Sequence, residues 1–258
     1  MARMSRRWRR EHLLEEGERH FHADNYSCFP PPIFVPTITL VEICSFIYYS
    51  LDPEDRGVTV PLPARSVFIY RPDRRLEVWR FIFYMLVHAG WVHLFFNMLV
   101  QLTVGVPLEM VHGSFRVGLI YMAGVLAGSL GMSVFDMSGY LVGASGGVYA
   151  LLAAHLANIL LNYTEMELAV YKLVAVLIVA GADVGLAIWD RYTNDDDDDD
   201  KHTTGYVAHL MGALAGFTIG LLVLKHFEHK LKTQIIWWLA LTIYSACTLF
   251  AVFWNVYH

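Results

Sequence analysis

Two short stretches of this chain carry residue types that could do covalent chemistry. One is Gly143-Ala144-Ser145-Gly146-Gly147, a serine among small residues; the other is Ala208-His209-Leu210-Met211-Gly212, a histidine inside an apolar run. A hydroxyl and an imidazole act as nucleophile and general base when they come within about 2.6–3.2 Å, and no third carboxylate is required. His93 and Asn97 open an earlier apolar stretch, and both are side chains that can donate hydrogen bonds to a developing oxyanion. Each has a plainer reading taken alone. A serine among glycines packs helices, a membrane histidine satisfies a neighbour, and His93 and Asn97, at i and i+4, can satisfy each other. Whether the four make a site depends on the elements that carry them.

Those elements are membrane helices. Of 258 residues 56% are hydrophobic and only 17% charged, against roughly a quarter charged in soluble domains. The mean hydropathy is +0.42. The net charge of −5 is segregated into blocks between apolar runs and implies no nucleic-acid partner. A helical span needs about 20 apolar residues. Seven stretches qualify as candidates: about 33–50, 92–111, 115–136, 145–162, 168–189, 204–224 and 235–255. The expected fold is therefore an all-α polytopic membrane protein. Its parts are an arm over 1–32, a six-span unit over 33–224 with a long first loop at 51–91, and a link with a seventh span over 225–258.

Charge orients the spans. The arm holds Arg3, Arg6, Arg7, Arg9, Arg10 and Arg19, followed by Glu11, Glu15, Glu16 and Glu18 rather than by an apolar core. It reads as a cytosolic anchor, not a cleaved signal peptide. By parity Arg116, Lys172, Lys225, Lys230 and Lys232 then fall on the cytosolic side, and the Asp195–Asp200 run on the lumenal or outer side, as the positive-inside rule requires. The loop at 51–91 is lumenal by parity although it carries six arginines beside five carboxylates. It is too long for a simple connector. Its apolar run from Phe81 to Val87 is too short to span and can lie along the interface, so the loop reads as a partly immersed, structured one. The aspartate run reads as a solvated loop tip. The sequons at Asn25 and Asn162 fall on the cytosolic side, where glycosylation does not occur, and so report on orientation. The three cysteines, Cys28, Cys44 and Cys247, have no paired spacing and read as free thiols.

Parity also gathers the polar residues. Spans two, four and six all run inward from the lumenal side, so His93 and Asn97, Ser145, and His209 enter from one face at similar depth. Polar groups inside a membrane are costly unless satisfied and by default mark function. Gly143, Gly146 and Gly147 let a neighbouring backbone come close, and a helix starting near Ser145 presents free N–H groups. Tyr149, four residues after Ser145, can stack on His209 or serve as an ordinary core aromatic. Gly212, Gly216 and Gly220 form a small-xxx-small face that lets span six pack tightly on span four. Glu42, Glu109 and Asp183 read as structural hydrogen-bonding or snorkelling groups. Gly143-x-Ser145-x-Gly147 also matches the soluble hydrolase nucleophile elbow, but that motif needs a preceding strand.

At these residues the sequence resembles the rhomboids, a family of intramembrane serine proteases. The resemblance rests on Trp79-Arg80, His93-Leu-Phe-Phe-Asn97, Gly143-Ala-Ser-Gly146 and Ala208-His209-x-x-Gly212-x-x-x-Gly216. Gly105-Val-Pro-Leu-Glu109, Gly146-Gly-Val-Tyr-Ala150 and the seventh span are similar to the animal secretase-type subgroup. The resemblance implies a six-helix core plus a seventh helix and a Ser145–His209 dyad. It also implies an oxyanion site helped by Asn97 and His93, with Tyr149 supporting the imidazole and Gly143 in the motif of the serine. It implies cleavage of single-span membrane proteins, often precursors of epidermal-type growth factors, at the Golgi or cell surface. It implies no cofactor, metal or nucleotide. Two other readings are an inactive rhomboid-like protein that binds client helices, and a seven-span receptor or transporter. The first normally lacks the serine or histidine, and the second leaves their matched depth unexplained.

Overall fold

The computed structural model describes residues 29–51, 66–163, 166, 168–193, 205–224 and 231–257. Seven apolar helices dominate it: α1 (Phe34–Ser50), α2 (Gly90–His112), α3 (Ser114–Phe135), α4 (Ser145–Asn162), α5 (Ala169–Thr193), α6 (Tyr206–Val223) and α7 (Leu231–Tyr257). Five of them, α2, α3, α4, α6 and α7, are long and apolar enough to cross a membrane; Phe34–Ser50 and the apolar part of α5, Ala169–Ala182, are shorter. Among the described residues there is no strand, only one isolated bridge, Tyr70 to Leu141. The expected all-α polytopic fold, a six-helix core with a seventh helix, is the observed one. Residues 1–28 of the arm, with Asn25 and Cys28, and the Asp195–Asp200 run lie outside the described residues, as does the side chain of Asp183.

The core is built where α3, α4 and α6 meet. Tyr84, Tyr121, Val125, Met132, Leu151 and Ala208 are among its buried members. Helices in lipid gain little from hydrophobic burial against one another, so close packing must hold them. Here glycine makes it possible. A Cβ on Gly212 would collide with the carbonyl of Gly146, and one on Gly216 with the backbone of Ala150; one on Gly220 would lie 3.1 Å from the Cα of Ala154. The small-residue face of α6 thus seats on α4, as its spacing predicts.

Helix α2 departs from the simple span. Its ladder widens to a π-helical stretch over Gln101–Gly105. Pro107 follows, and its ring nitrogen has no proton to give to the Thr103 carbonyl. The Thr103 hydroxyl donates to the Leu99 carbonyl at 2.7 Å. Gly113 then ends the helix at φ +90°, a conformation that favours glycine, and its N–H donates to the Glu109 carbonyl at 2.7 Å. This tight corner starts α3 one residue later.

The described part of the first long loop, residues 66–91, is structured as expected, and its apolar run is packed more deeply than a segment lying along the interface. Phe81, Tyr84, Met85 and Val87 are buried, leaving Phe83 exposed to the surround. The Trp79-Arg80 pair shapes this loop. Buried Arg80 donates from Nη1 to the carbonyls of Ser66 (3.0 Å) and Ile69 (2.8 Å) and from Nε to Glu77 (2.6 Å). The Trp79 indole donates to the Val67 carbonyl at 3.2 Å. A buried guanidinium with three acceptors has little freedom, and the loop it holds is fixed. The apolar run packs inward because those ties fold it over the bundle instead of leaving it at the headgroups.

Glu109 has a defined structural role. Its carboxylate accepts the N–H groups of Phe34 (2.6 Å) and Val35 (2.8 Å), which begin α1. Free N–H groups and a positive dipole end need such a partner, above all away from water. Glu42 and Glu109 are both hydrogen-bonded structural groups, as read from the sequence. Asn162, however, is buried and donates to Asn158 at 2.8 Å. Its burial withholds it from glycosylation whichever way the chain is oriented, so it cannot report orientation. Cys44 and Cys247 are free and exposed.

Replacing Glu109 by Ala leaves two N–H groups unsatisfied. It should cost about 2–3 kcal/mol with Glu109→Gln intermediate, measured by thermal unfolding of the detergent-purified protein.

Candidate active site

Ser145 is the first residue of α4, with Ala144 as its N-cap. The first intrahelical bonds are those of Gly147 and Val148 to the Ala144 carbonyl, at 2.9 and 3.0 Å. The N–H groups of Ser145 and Gly146 precede that ladder and have no helical acceptor. Ser145 is 7% exposed. The segment before it is an irregular loop touching Tyr70, not the strand of a hydrolase elbow.

His209 stands in the first turn of α6, and its backbone N–H donates to the Gly205 carbonyl at 2.9 Å. It lies three residues before Gly212, whose backbone is pressed on Gly146. Ser145 and His209 therefore flank one backbone contact from opposite helices. Tyr149, one turn below Ser145, stacks on the imidazole with centroids 4.5 Å apart and planes 11° from parallel. Tyr206 meets the same ring edge-on at 6.3 Å. The imidazole is thus held on two sides.

His93 and Gly143 are brought together. Gly143 has φ +104°, and a Cβ there would come within 2.5 Å of His93 Cε1 and 2.8 Å of Nε2. Only glycine fits on both counts. The Ala89 N–H donates to His93 Nδ1 at 3.4 Å, so a neutral ring carries its proton on Nε2, the atom that faces Gly143. Asn97 is buried and its amide donates to the His93 backbone carbonyl at 2.9 Å. The pair is therefore tied through the backbone and not, as its i,i+4 spacing allows, side chain to side chain.

Two residues that the sequence reading did not single out complete the surroundings. Tyr84 accepts the Gly143 N–H on its carbonyl (3.2 Å), while its hydroxyl donates to the Val125 carbonyl (2.8 Å). That hydroxyl rests where side chains on Gly128 and Gly146 would otherwise lie. His88 accepts the Ala144 N–H on Nε2 at 3.4 Å and meets the His93 ring edge-on at 5.4 Å. Burial, and secondarily the charge of His93, push the His88 imidazole down to about 3. It stays neutral, as an acceptor must. Its position five residues before His93 was the available signal. Tyr84 gave none, because a tyrosine in an apolar run looks like any core aromatic.

Fold and site together define a polytopic helical membrane protein with a serine and a histidine at one end of its most tightly packed helix pair. Residues 75–226 match the family model of the rhomboid domain. The chain is 43% identical over 251 residues to rhomboid-related protein 3 of Homo sapiens, covering 96% of this chain and 62% of that protein. It is 41% identical over 249 residues to rhomboid-related protein 2 of Mus musculus, covering 95% and 82%. To inactive rhomboid-related protein 2 of Caenorhabditis elegans it is 31% identical over 236 residues, covering 91% and 64%. This chain belongs to the rhomboid family, a family of intramembrane proteases in which some members are named inactive. It spans 62% of the length of the human relative.

Two outcomes follow from this geometry. Gly143→Ala should destabilise the protein by about 1–2 kcal/mol from its φ alone and displace His93, seen as a lower melting temperature. His88 gives an acid limb. The unfolded chain binds its proton near 6.5 and the folded protein only near 3, so stability falls as pH drops through that window and is unaffected by His88 above it. His88→Gln should flatten that limb in melts between pH 6.5 and 4.

Proposed function

We propose that this chain is an intramembrane serine endopeptidase that cleaves single-span membrane proteins within or beside their transmembrane helix. The observation that supports the reading is the stacking of Tyr149, one turn after Ser145, on the His209 imidazole, with Gly146 and Gly212 pressed together between the two helices. His209 takes the proton of the Ser145 hydroxyl as the oxygen attacks a peptide carbonyl, and returns it to the leaving amine. Water then releases the acyl group by the same steps in reverse order. The developing oxyanion is met by the free N–H groups at the start of α4, by Nε2–H of His93 and by the second amide proton of Asn97, with Gly143 leaving room for the ring. The substrate helix must unwind locally, since a helical peptide bond is shielded and internally bonded.

The substrates proposed are precursors of epidermal-type growth factors, at the Golgi or plasma membrane. The arginine-rich arm would lie in the cytosol and the site would open to the lumen or exterior. The parts proposed are the arm (1–32), the catalytic core (33–224, with its first lumenal loop at 51–91) and the link with the seventh helix (225–258).

Co-expression with a tagged single-span substrate tests this reading. Wild type should release the cleaved ectodomain, and Ser145→Ala and His209→Ala should each lower release by about 10³-fold or more, to background. Product at one level in all three would overturn the dyad, and background product with captured substrate would favour a client-binding role.

A further inference from the structure

The mechanism above leaves one fully buried carboxyl unused, that of Glu42 in the middle of α1. Its Oε1 accepts the Tyr121 hydroxyl at 2.7 Å and its Oε2 accepts the Gln101 amide at 2.9 Å, while that same amide reaches the Thr39 hydroxyl at 2.8 Å. Glu42, Tyr121 and Gln101 are all 0% exposed. Among the described residues, no lysine, arginine or histidine pairs with this carboxyl. An ionisable group kept in a hydrocarbon-embedded helix without a counter-charge is costly, and such groups are by default functional. A plain packing role would be filled more cheaply by leucine.

What the carboxyl holds is the Tyr121 ring, and that ring lies against Gly147, two residues after Ser145. A Cβ on Gly147 would stand 2.5–2.7 Å from Cε2, Cζ and Cδ2 of Tyr121. Gly147 lies in the first turn of α4, two residues after Ser145, and its N–H closes that turn on the Ala144 carbonyl. The neighbouring Gly146 is pressed by Gly212 of the His209 helix. The start of α4 is therefore gripped by Tyr121 from α3 and by α6. The Phe34 ring meets Tyr121 edge-on at 5.6 Å. With the hydroxyl pinned by Glu42, the ring cannot slide along its plane.

We infer that Glu42 and Tyr121 are positioning residues for the nucleophile: the carboxyl–phenol bond fixes the ring against Gly147 and so sets the depth of Ser145 relative to His209. Neither touches substrate. The π-helical stretch of α2 serves the same bond, because it turns Gln101 inward to occupy the second carboxyl oxygen. The Gln101 Oε1 is itself buried without a partner. A glutamine at 42 can therefore accept from Tyr121 and, with the Gln101 amide flipped to turn its Oε1 toward it, donate to Gln101, keeping the bond to Tyr121 without any charge.

The inference rests on the proposed role of Ser145, and the test separates the two. Full-length protein in detergent is treated with a fluorophosphonate probe, and the labelling rate is read alongside kcat and KM on a tagged single-span substrate. Misplacement of a reacting group by about 1 Å costs about 10²-fold. Glu42→Leu should label and turn over about 10–100-fold more slowly at unchanged KM, Tyr121→Phe about 10-fold more slowly, and Glu42→Gln within about 3-fold of wild type. Tyr121→Phe keeps the ring's volume, so it decides the matter if Glu42→Leu fails to fold. Folded Tyr121→Phe labelling at the wild-type rate would overturn the inference, and so would Glu42→Gln as impaired as Glu42→Leu. A wild type that labels no more than Ser145→Ala would instead remove the nucleophile reading on which it stands.

Discussion

The backbone contact between α4 and α6 is the constraint on which the rest of the structure depends. At Gly212 against Gly146 and at Gly216 against Ala150 there is no room for a single carbon atom, and at Gly220 against Ala154 there is barely room for one. Lipid tails are as apolar as the helix surfaces, so these helices hold together by dispersion over a close fit and by the hydrogen bonds at its edges. The fit fixes the distance between helices, and with it the spacing of Ser145 and His209 at their ends. A side chain added at Gly212 or Gly216 would push the two helices apart, and with them the residues at their ends.

The second requirement is a loop that behaves as part of the core. Arg80 gathers Ser66, Ile69 and Glu77, and Tyr70 pairs with Leu141 through two backbone bonds, at 3.1 and 3.2 Å. Tyr84 binds Gly143 through its backbone and α3 through its hydroxyl. The polypeptide on either side of Ser145 is thus held from the loop, while its helix is held from α3 and α6. Such preorganisation lets donors face a developing charge without moving to do so. It also satisfies the Arg80 guanidinium and the Trp79 indole in a medium that offers few alternatives.

Much of this was legible because membranes constrain sequences strongly. The span expected at 145–162 is the helix found at Ser145–Asn162, and the four-residue glycine repeat named its own partner helix. Parity alone aligned the polar residues of spans two, four and six. What escaped were features decided by contacts between distant segments. The π-helical stretch needed the proline at 107 to be read against the carbonyl at 103. That the loop is structured was legible, but the depth of the Phe81–Val87 run was not, because nothing in its composition shows the guanidinium that ties the loop. The acceptor role of His88 depends on the Ala144 N–H, 56 positions away. The role of Glu109 could not be read from α2, because the N–H groups it caps begin α1.

The proposed chemistry comes down to one oxygen and one nitrogen, carried at the same end of two helices that glycine lets pack closely. Tryptic mapping by mass spectrometry of the fluorophosphonate adduct on wild-type protein, with His209→Ala in parallel, tests this most directly. The account predicts one modified residue, Ser145, and loss of that adduct when His209 is removed. An adduct on another serine, or equal modification of Ser145 without His209, would contradict it.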